Sequence, residues 1–176
     1  VLAAEDARFY QHGGVDYKGV ARAALENLRD ARSQGASTIT MQVARNFYLS
    51  TEKTFTRKIY EVLLALKIES LLTKDQILEL YMNQIFLGQR AYGFAAASEV
   101  YFGKPLKDVS VAEAAMLAGL PKGPSIYNPI VNPKRATARQ QYIIDRMLDN
   151  GFINAEQAAA ARSEKLRYRS QSEVAV

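Results

Sequence analysis

Residues 55–72 read FTRKIYEVLLALKIESLL, and their apolar side chains recur at the spacing of one helix face. Ile59, Val62, Leu63 and Leu66 follow the period of about 3.6 residues that is typical of an α-helix. Similar segments, most of them opened by capping residues, begin near Tyr17, Thr38, Thr73, Ser110, Asn132 and Asn154. Alternation with a period of two, which is typical of half-buried strands, is nearly absent. The sequence therefore predicts an all-α fold, with one domain over residues 1–165 and an edge or linker over residues 166–176 that leads toward any C-terminal domain.

The composition excludes several kinds of site. The chain has 176 residues, 48% of them hydrophobic, and a formal charge of +5. The absence of cysteine excludes disulfides, thiolate zinc sites and a cysteine nucleophile, and the single histidine limits any His-based metal site. No apolar stretch approaches the roughly 18 residues that a membrane-spanning helix needs. Because the chain begins with Val1 rather than methionine, we expect a domain of a longer protein, with any membrane anchor outside it.

An acidic and aromatic motif lies at the start of the chain: Glu5-Asp6-Ala7-Arg8-Phe9-Tyr10-Gln11-His12-Gly13-Gly14. A carboxylate that is part-buried beside apolar groups has a raised pKa, which suits a general acid or base near neutral pH. Alternatively, both acids face solvent or favour a helix N-terminus, and the residues alone leave the two interpretations open. His12 is expected to be structural and to tie the loop around Gly13 and Gly14.

Two later segments bring polar and cationic side chains onto helix faces. Thr38, Gln42 and Arg45 have the spacing i, i+4, i+7 and share one face, which could hold sugar hydroxyls and a phosphate oxygen. Further along, the pattern Arg57-Lys58-Ile59-Tyr60-Glu61 places two cations at i+3 and i+4 spacing from Glu61, with Lys53 upstream. The alternative interpretation is that these residues form an ordinary ion pair on the protein surface. A pyrophosphate leaving group needs several such donors, because negative charge accumulates on its oxygens.

With these motifs in place, the chain closely resembles the peptidoglycan glycosyltransferase domain of class A penicillin-binding proteins and monofunctional transglycosylases. The resemblance covers roughly residues 1–150. It rests on Glu-Asp-x-x-Phe-x-x-His-x-Gly at residues 5–14, Gly-x-Ser-Thr-Ile-x-x-Gln at 35–42, Arg-Lys-x-x-Glu at 57–61, and further stretches at 77–83 and 113–121. Several blocks in a fixed order are far more specific than any single motif.

The resemblance implies a lysozyme-like, two-lobed α fold whose cleft holds a glycan chain. By this resemblance Glu5 is the general base that accepts the proton of the 4-hydroxyl of lipid II. That oxygen attacks the growing glycan on polyprenyl pyrophosphate and forms an inverted, β-1,4 bond. Glu61 orients the cations, Arg8 assists near the phosphates, and Asp6, Phe9 and His12 support the site. The residues expected to grip the donor are Thr38, Gln42, Arg45, Lys53, Arg57 and Lys58.

The resemblance also implies partners and a location. The substrates are lipid II and the growing glycan strand, and nucleic acid is not expected. No organic cofactor is needed, while a divalent cation such as Mg²⁺ could be held with the help of Glu61. The protein is expected at the external (periplasmic) face of the bacterial cell membrane, with residues 17–28 suited to the headgroup boundary of the membrane surface. Whether a transpeptidase domain follows in the full-length chain is left open.

Two other functions are compatible with parts of the sequence. A lysozyme-like hydrolase or lytic enzyme would use a carboxyl acid, but it has no need of the cations between Glu5 and Glu61. A basic module that docks to a membrane would explain the charge but would leave both glutamates without a role. The transferase accounts for more of the motifs than either alternative.

Overall fold

A computed structural model of the chain describes residues 1–16, 37–46 and 55–169, with the side chain of Phe55 left out. Over these ranges the secondary structure is helical, and the only strand-like feature is an isolated bridge between Phe86 and Tyr92. The helices are α1 Leu2–Glu5, α2 Ile39–Arg45, α3 Phe55–Leu71, α4 Lys74–Gln84, α5 Phe94–Phe102, a 3₁₀ turn Leu106–Asp108, α6 Val111–Ala118, α7 Pro133–Asp149 and α8 Ala155–Ser163. The prediction of an all-α fold is confirmed. Three predicted features lie outside the described ranges: the helix near residues 17–28, the cation Lys53, and the last residues of the chain.

Capping residues set the starts of several of these helices. Thr38 caps α2 by accepting the N–H of Met41. Reciprocal capping boxes, each pairing a side chain with the backbone three residues away, open α4, α6 and α8. Proline occupies the first position of α7, where its missing N–H costs no hydrogen bond. Local side-chain chemistry therefore determines where these elements begin.

The described chain divides into two compact units. The N-terminal unit comprises Leu2 and Ala4–Tyr81. Within it, α2 packs on α3, and the core is formed by Phe9, Ile39, Val43, Ala44, Ala65, Ile77 and Tyr81. All the described residues that the sequence singles out for chemistry belong to this unit.

The C-terminal unit comprises Val1, Ala3 and the residues from Met82 onward. Its core is the packing of α6 against α7 and α8, where Ile143 and Ile144 are fully buried. Gln140 of α7 donates a buried hydrogen bond to the carbonyl of Ala112. Within the described residues, no helix is both long enough and apolar enough to cross a membrane.

The stretch after α8 packs on α5 as far as it is described. The ring of Tyr168 lies 5.5 Å from that of Phe102, and the N–H of Arg169 donates to the carbonyl of Tyr101. The predicted boundary at residue 165 stays a prediction.

Candidate active site

Glu5 is the last residue of α1 and is partly buried. Its Oε2 accepts a hydrogen bond from Nε2 of Gln42 on α2, at 3.3 Å. The buried phenol of Tyr81 on α4 lies close enough to Glu5 for the negative charge of Glu5 to affect the pKa of the phenol. Burial, and then the negative charge of Glu5, raise the pKa of Tyr81 well above the ordinary value of 10.0. One residue from each of two other helices therefore interacts with the carboxylate that the resemblance implies is the base.

Asp6 and His12 form a buried pair directly after Glu5. Nε2 of His12 lies 2.6 Å from Oδ2 of Asp6, and Nδ1 of His12 accepts the N–H of Gly14 at 3.1 Å. Since Nδ1 is an acceptor, the ring proton lies on Nε2 and is donated to Asp6. The same Asp6 oxygen also accepts the N–H of Ile39, the first residue of α2. These bonds connect the loop at Gly13 and Gly14 to both the acidic motif and the start of α2.

Thr38 is buried, and its hydroxyl is engaged within the protein. Oγ1 accepts the N–H of Met41 and donates to the carbonyl of Gly14 at 2.8 Å. Thr38 therefore orients α2 against the loop at Gly14. The direct contact with a substrate sugar that the resemblance implies for Thr38 stays a prediction.

Glu61 is the centre of a cationic cluster, which consists of Arg45, Arg57, Lys58 and Glu61. Glu61 is only 4% exposed. Nε of Arg45 lies 3.1 Å from Oε1, Nζ of Lys58 lies 3.2 Å from Oε2, and Nε of Arg57 lies 3.8 Å from Oε1. Ser37 joins the cluster, because its Oγ accepts from Lys58 at 2.7 Å and from Arg45 at 3.4 Å.

The pKa of Glu61 reports this environment. Burial is the largest influence and would raise the pKa, but the hydrogen bonds and charges of Arg45 and Lys58 together lower it below 4.5. Glu61 is therefore ionised at neutral pH and holds the cations in place. Within this cluster three cationic side chains share one carboxylate. Because the side chains of Arg45 and Lys58 are 43% and 45% exposed, these two cations can attract an anion such as a phosphate.

Other residues named from the sequence have different surroundings. Arg8 forms an ion pair with Asp16, and its side chain is 29% exposed. Phe9 is buried, with its ring edge-on to those of Tyr10 and His12. Lys53 lies outside the described residues. The functional roles expected for these residues stay predictions.

Glu61 does not fit a divalent cation as it is arranged here. Both of its oxygens receive hydrogen bonds from cationic side chains, which would repel a metal ion. Among the residues that the structure describes, no group of three or more histidine and acidic side chains could hold a metal ion. The expectation of Mg²⁺ therefore finds no support in this donor set.

Sequence reasoning gave no functional weight to Ser37, Tyr81, Glu69 or Lys74. Ser37 lies directly before the capping residue Thr38, and Tyr81 is fully buried in the core. Lys74 lies 3.3 Å from His12 although 62 positions separate them in the chain, so no local pattern could pair them. Of these residues, only Ser37 could have been identified from the sequence, since it precedes Thr38 within the motif at 35–42.

Comparison with known proteins agrees on one family. The profile of the family described as Transglycosylase matches residues 1–148. Penicillin-binding protein 1A of Neisseria gonorrhoeae is 64% identical over 169 residues, which are 96% of this chain and 21% of that protein. A Cupriavidus necator protein, whose name assigns it provisionally to the transglycosylases, is 63% identical over 96% of this chain and 73% of its own length. The crystal structure of penicillin-binding protein 1A from Haemophilus influenzae matches 74% of this chain and 16% of that one, with a TM-score of 0.54 and 37% identity.

Proposed function

Because this chain belongs to the Transglycosylase family, we propose that it polymerises the glycan strands of peptidoglycan. The donor is the growing glycan on polyprenyl pyrophosphate, and the acceptor is lipid II. The chain spans only about a fifth of the length of the penicillin-binding proteins that it matches. The proposal therefore concerns the reaction of this domain and not the activities of a whole protein.

The observation that carries the proposal is the position of α2. Gln42 of α2 donates to Glu5, and Arg45 of the same helix donates to Glu61. The two residues are three positions apart, which is about one helical turn, or roughly 4.5 Å of rise. A single short helix thus connects an acidic group suited to proton abstraction with a cationic cluster suited to a diphosphate.

In the proposed reaction, the carboxylate of Glu5 accepts the proton of the acceptor's 4-hydroxyl. The oxygen attacks the anomeric carbon of the donor from the face opposite the pyrophosphate. A new carbon–oxygen bond forms as the bond from that carbon to the phosphate oxygen breaks, and the α-linked donor becomes a β-1,4-linked product. The polyprenyl pyrophosphate leaves with the bonding electron pair. The reaction needs no organic cofactor, because the pyrophosphate both activates the donor and departs.

The cationic cluster stabilises the leaving group. Negative charge grows on the pyrophosphate oxygens as the bond breaks, and preorganised cations lower the free energy of that transition state. Glu61 keeps Arg45, Arg57 and Lys58 at fixed positions before the substrate arrives, so little reorganisation is required during the reaction. Glu61 itself transfers no proton in this account, since its pKa is lowered.

A hydrolase or lytic enzyme is not favoured by the site. Cleavage of a glycan produces no pyrophosphate, so the exposed cations Arg45 and Lys58 would have no anion to stabilise. The expected partners and location follow from the proposed transferase activity. We place the domain at the external face of the bacterial membrane, where its lipid-linked substrates reside. Within a longer protein, a transpeptidase domain would cross-link the strands that this domain produces.

A polymerisation assay tests the proposal. The chain is incubated with labelled lipid II in detergent, and the products are separated by gel electrophoresis. A ladder of glycan polymers is expected. If lipid II stays unchanged while preformed glycan is cleaved, the chain is a hydrolase. If both substrates stay unchanged, the proposal of glycan polymerisation is contradicted for this chain.

A further inference from the structure

A second charged network, formed by Glu69 and Lys74, contacts His12 in the N-terminal unit. Nζ of Lys74, at the start of α4, lies 2.6 Å from Oε1 of Glu69 near the end of α3. The same ammonium group is 3.3 Å from Nδ1 of His12 and 4.4 Å from the centroid of the Phe9 ring. The side chains of Lys74 and Glu69 are only 18% and 11% exposed. Removing one partner of an ion pair shielded to this degree destabilises a protein, because the other charge is left buried and uncompensated.

Glu69 also contacts α2. Oγ1 of Thr40 donates to Oε1 of Glu69 at 2.7 Å. Thr40 lies two residues before Gln42, whose side chain donates to Glu5. Glu69, which pairs with Lys74, therefore contacts the helix that donates to the proposed base.

The first turn of α4 holds the segment that follows Glu5 and Asp6. Beside the contacts of Lys74 with Phe9 and His12, the next residue, Asp75, accepts a hydrogen bond from the hydroxyl of Tyr10 at 2.7 Å. Two consecutive residues of α4 thus contact three residues of the acidic motif. These contacts attach the segment to α4.

The hydrogen bonds at Nδ1 of His12 have a defined donor and acceptor. Nδ1 of His12 faces the N–H of Gly14 and the ammonium of Lys74, and both of these groups are donors. Nδ1 must therefore accept, which leaves the Nε2 proton to bond to Asp6. Asp6, next to Glu5 in the chain, is in turn held by the N–H of Ile39.

From these contacts we propose that Lys74, oriented by Glu69, is a positioning residue for Glu5. It acts through the imidazole of His12 and the carboxylate of Asp6, and it does not touch the substrate. The inference rests on the proposed function, because it assumes that Glu5 is the base. Small displacements of a reacting group reduce the rate of a reaction strongly, so loss of this support should lower the rate of the chemical step.

The test compares Lys74→Met with Lys74→Arg in steady-state polymerisation of lipid II by the chain. We expect Lys74→Met to lower kcat by about tenfold or more while KM changes by less than about twofold. Lys74→Arg retains the positive charge and should recover most of the rate. Lys67→Met is the matched control, since Lys67 is exposed on α3, and it should leave kcat unchanged.

A spectroscopic measurement accompanies the kinetics. His12 is the only histidine of the chain, so ¹⁵N-histidine labelling reports a single imidazole. The Nδ1 resonance should shift in Lys74→Met and stay in place in Lys67→Met. An unchanged resonance, an unchanged kcat or a rise in KM alone would each overturn the positioning role.

Glu69→Gln tests the network if Lys74→Met does not fold. This variant keeps the shape of residue 69 and the cation at Lys74, but it weakens the contact that orients Lys74. It should lower kcat without changing KM, and a folded Glu69→Gln with the wild-type kcat would overturn the inference. The wild-type chain separates the two proposals. An inactive wild type contradicts the proposed function, whereas an active wild type with an equally active Lys74→Met contradicts only the role of Lys74.

Discussion

At Gly14 the backbone has φ +102°, a conformation that residues with a side chain rarely adopt. A Cβ atom at this position would lie 2.9 Å from Cγ of Glu69 and 3.2 Å from the carbonyl oxygen of Ala65. The neighbouring Gly13 has open space around the same position. The backbone at the end of the acidic motif therefore depends on Gly14 and not on Gly13.

Gly14→Ala is expected to destabilise the chain by about 1–3 kcal/mol, because it adds backbone strain and a steric clash. Urea unfolding monitored by circular dichroism measures this free energy. Gly13→Ala is the matched control and should cost less than about 0.5 kcal/mol. Equal losses of unfolding free energy in the two variants would show that neither the positive φ nor the close approach to α3 causes the destabilisation.

The lowered pKa of Glu61 makes a prediction about acid stability. A carboxyl group whose pKa is lower in the folded state stabilises the fold above its unfolded pKa. This contribution is lost as the pH falls through the folded value, which lies below 4.5. Glu61→Gln removes the titrating group. The free energy of unfolding of this variant should therefore fall less on acidification than that of the wild type. Chemical denaturation near neutral pH and again well below pH 4.5 measures the difference, and parallel losses in both proteins would contradict the assigned pKa shift.

At the scale of single elements, the helix starts are the part of the fold that the sequence predicts best. Asn154 accepts the N–H of Gln157 at 2.8 Å, and the side chain of Gln157 accepts the N–H of Asn154 at 2.9 Å. Both partners lie within four residues of sequence, so their types alone indicate the structure. The same reasoning places Arg57 and Lys58 near Glu61, because one helix carries all three.

Asn154→Ala should destabilise the chain by about 1 kcal/mol through loss of the cap of α8. Asn154→Ser keeps a capping oxygen and should lose only a fraction of that value. Thermal unfolding of the two variants beside the wild type provides the comparison. Since the cap belongs to the C-terminal unit and the described residues assigned to chemistry belong to the N-terminal unit, polymerisation should be unaffected at temperatures where the chain is folded.

Contacts between distant elements could not be predicted in the same way. Glu5 and Gln42 are separated by 37 positions, and Lys74 and His12 by 62. Helical spacing identifies which face a residue occupies, but it does not indicate which other helix that face meets. Thr38 illustrates the difference, because its spacing placed it with Gln42 and Arg45 while its buried hydroxyl bonds to Met41 and Gly14.

At the scale of the whole molecule, the family assignment made from several short motifs is confirmed by a profile that matches residues 1–148. The all-α class is confirmed as well, within the residues that the structure describes. The assignment succeeded because the motifs occur in a fixed order over most of the chain. Periodicity and composition indicated helices and a basic surface, but they could not by themselves distinguish a transferase from a hydrolase.

The central claim is that Glu5 removes the proton from the acceptor, and Glu5→Gln tests it most directly. The measurement is the initial rate of lipid II polymerisation, combined with binding of labelled lipid II to the same variant. The account predicts a rate at least about a hundredfold lower, with binding retained, because the amide cannot accept the proton. Glu99→Gln, an exposed substitution on α5 outside the quoted motifs, should behave as the wild type. A Glu5→Gln variant that polymerises at the wild-type rate would contradict the account, and so would one whose only defect is weaker binding of lipid II.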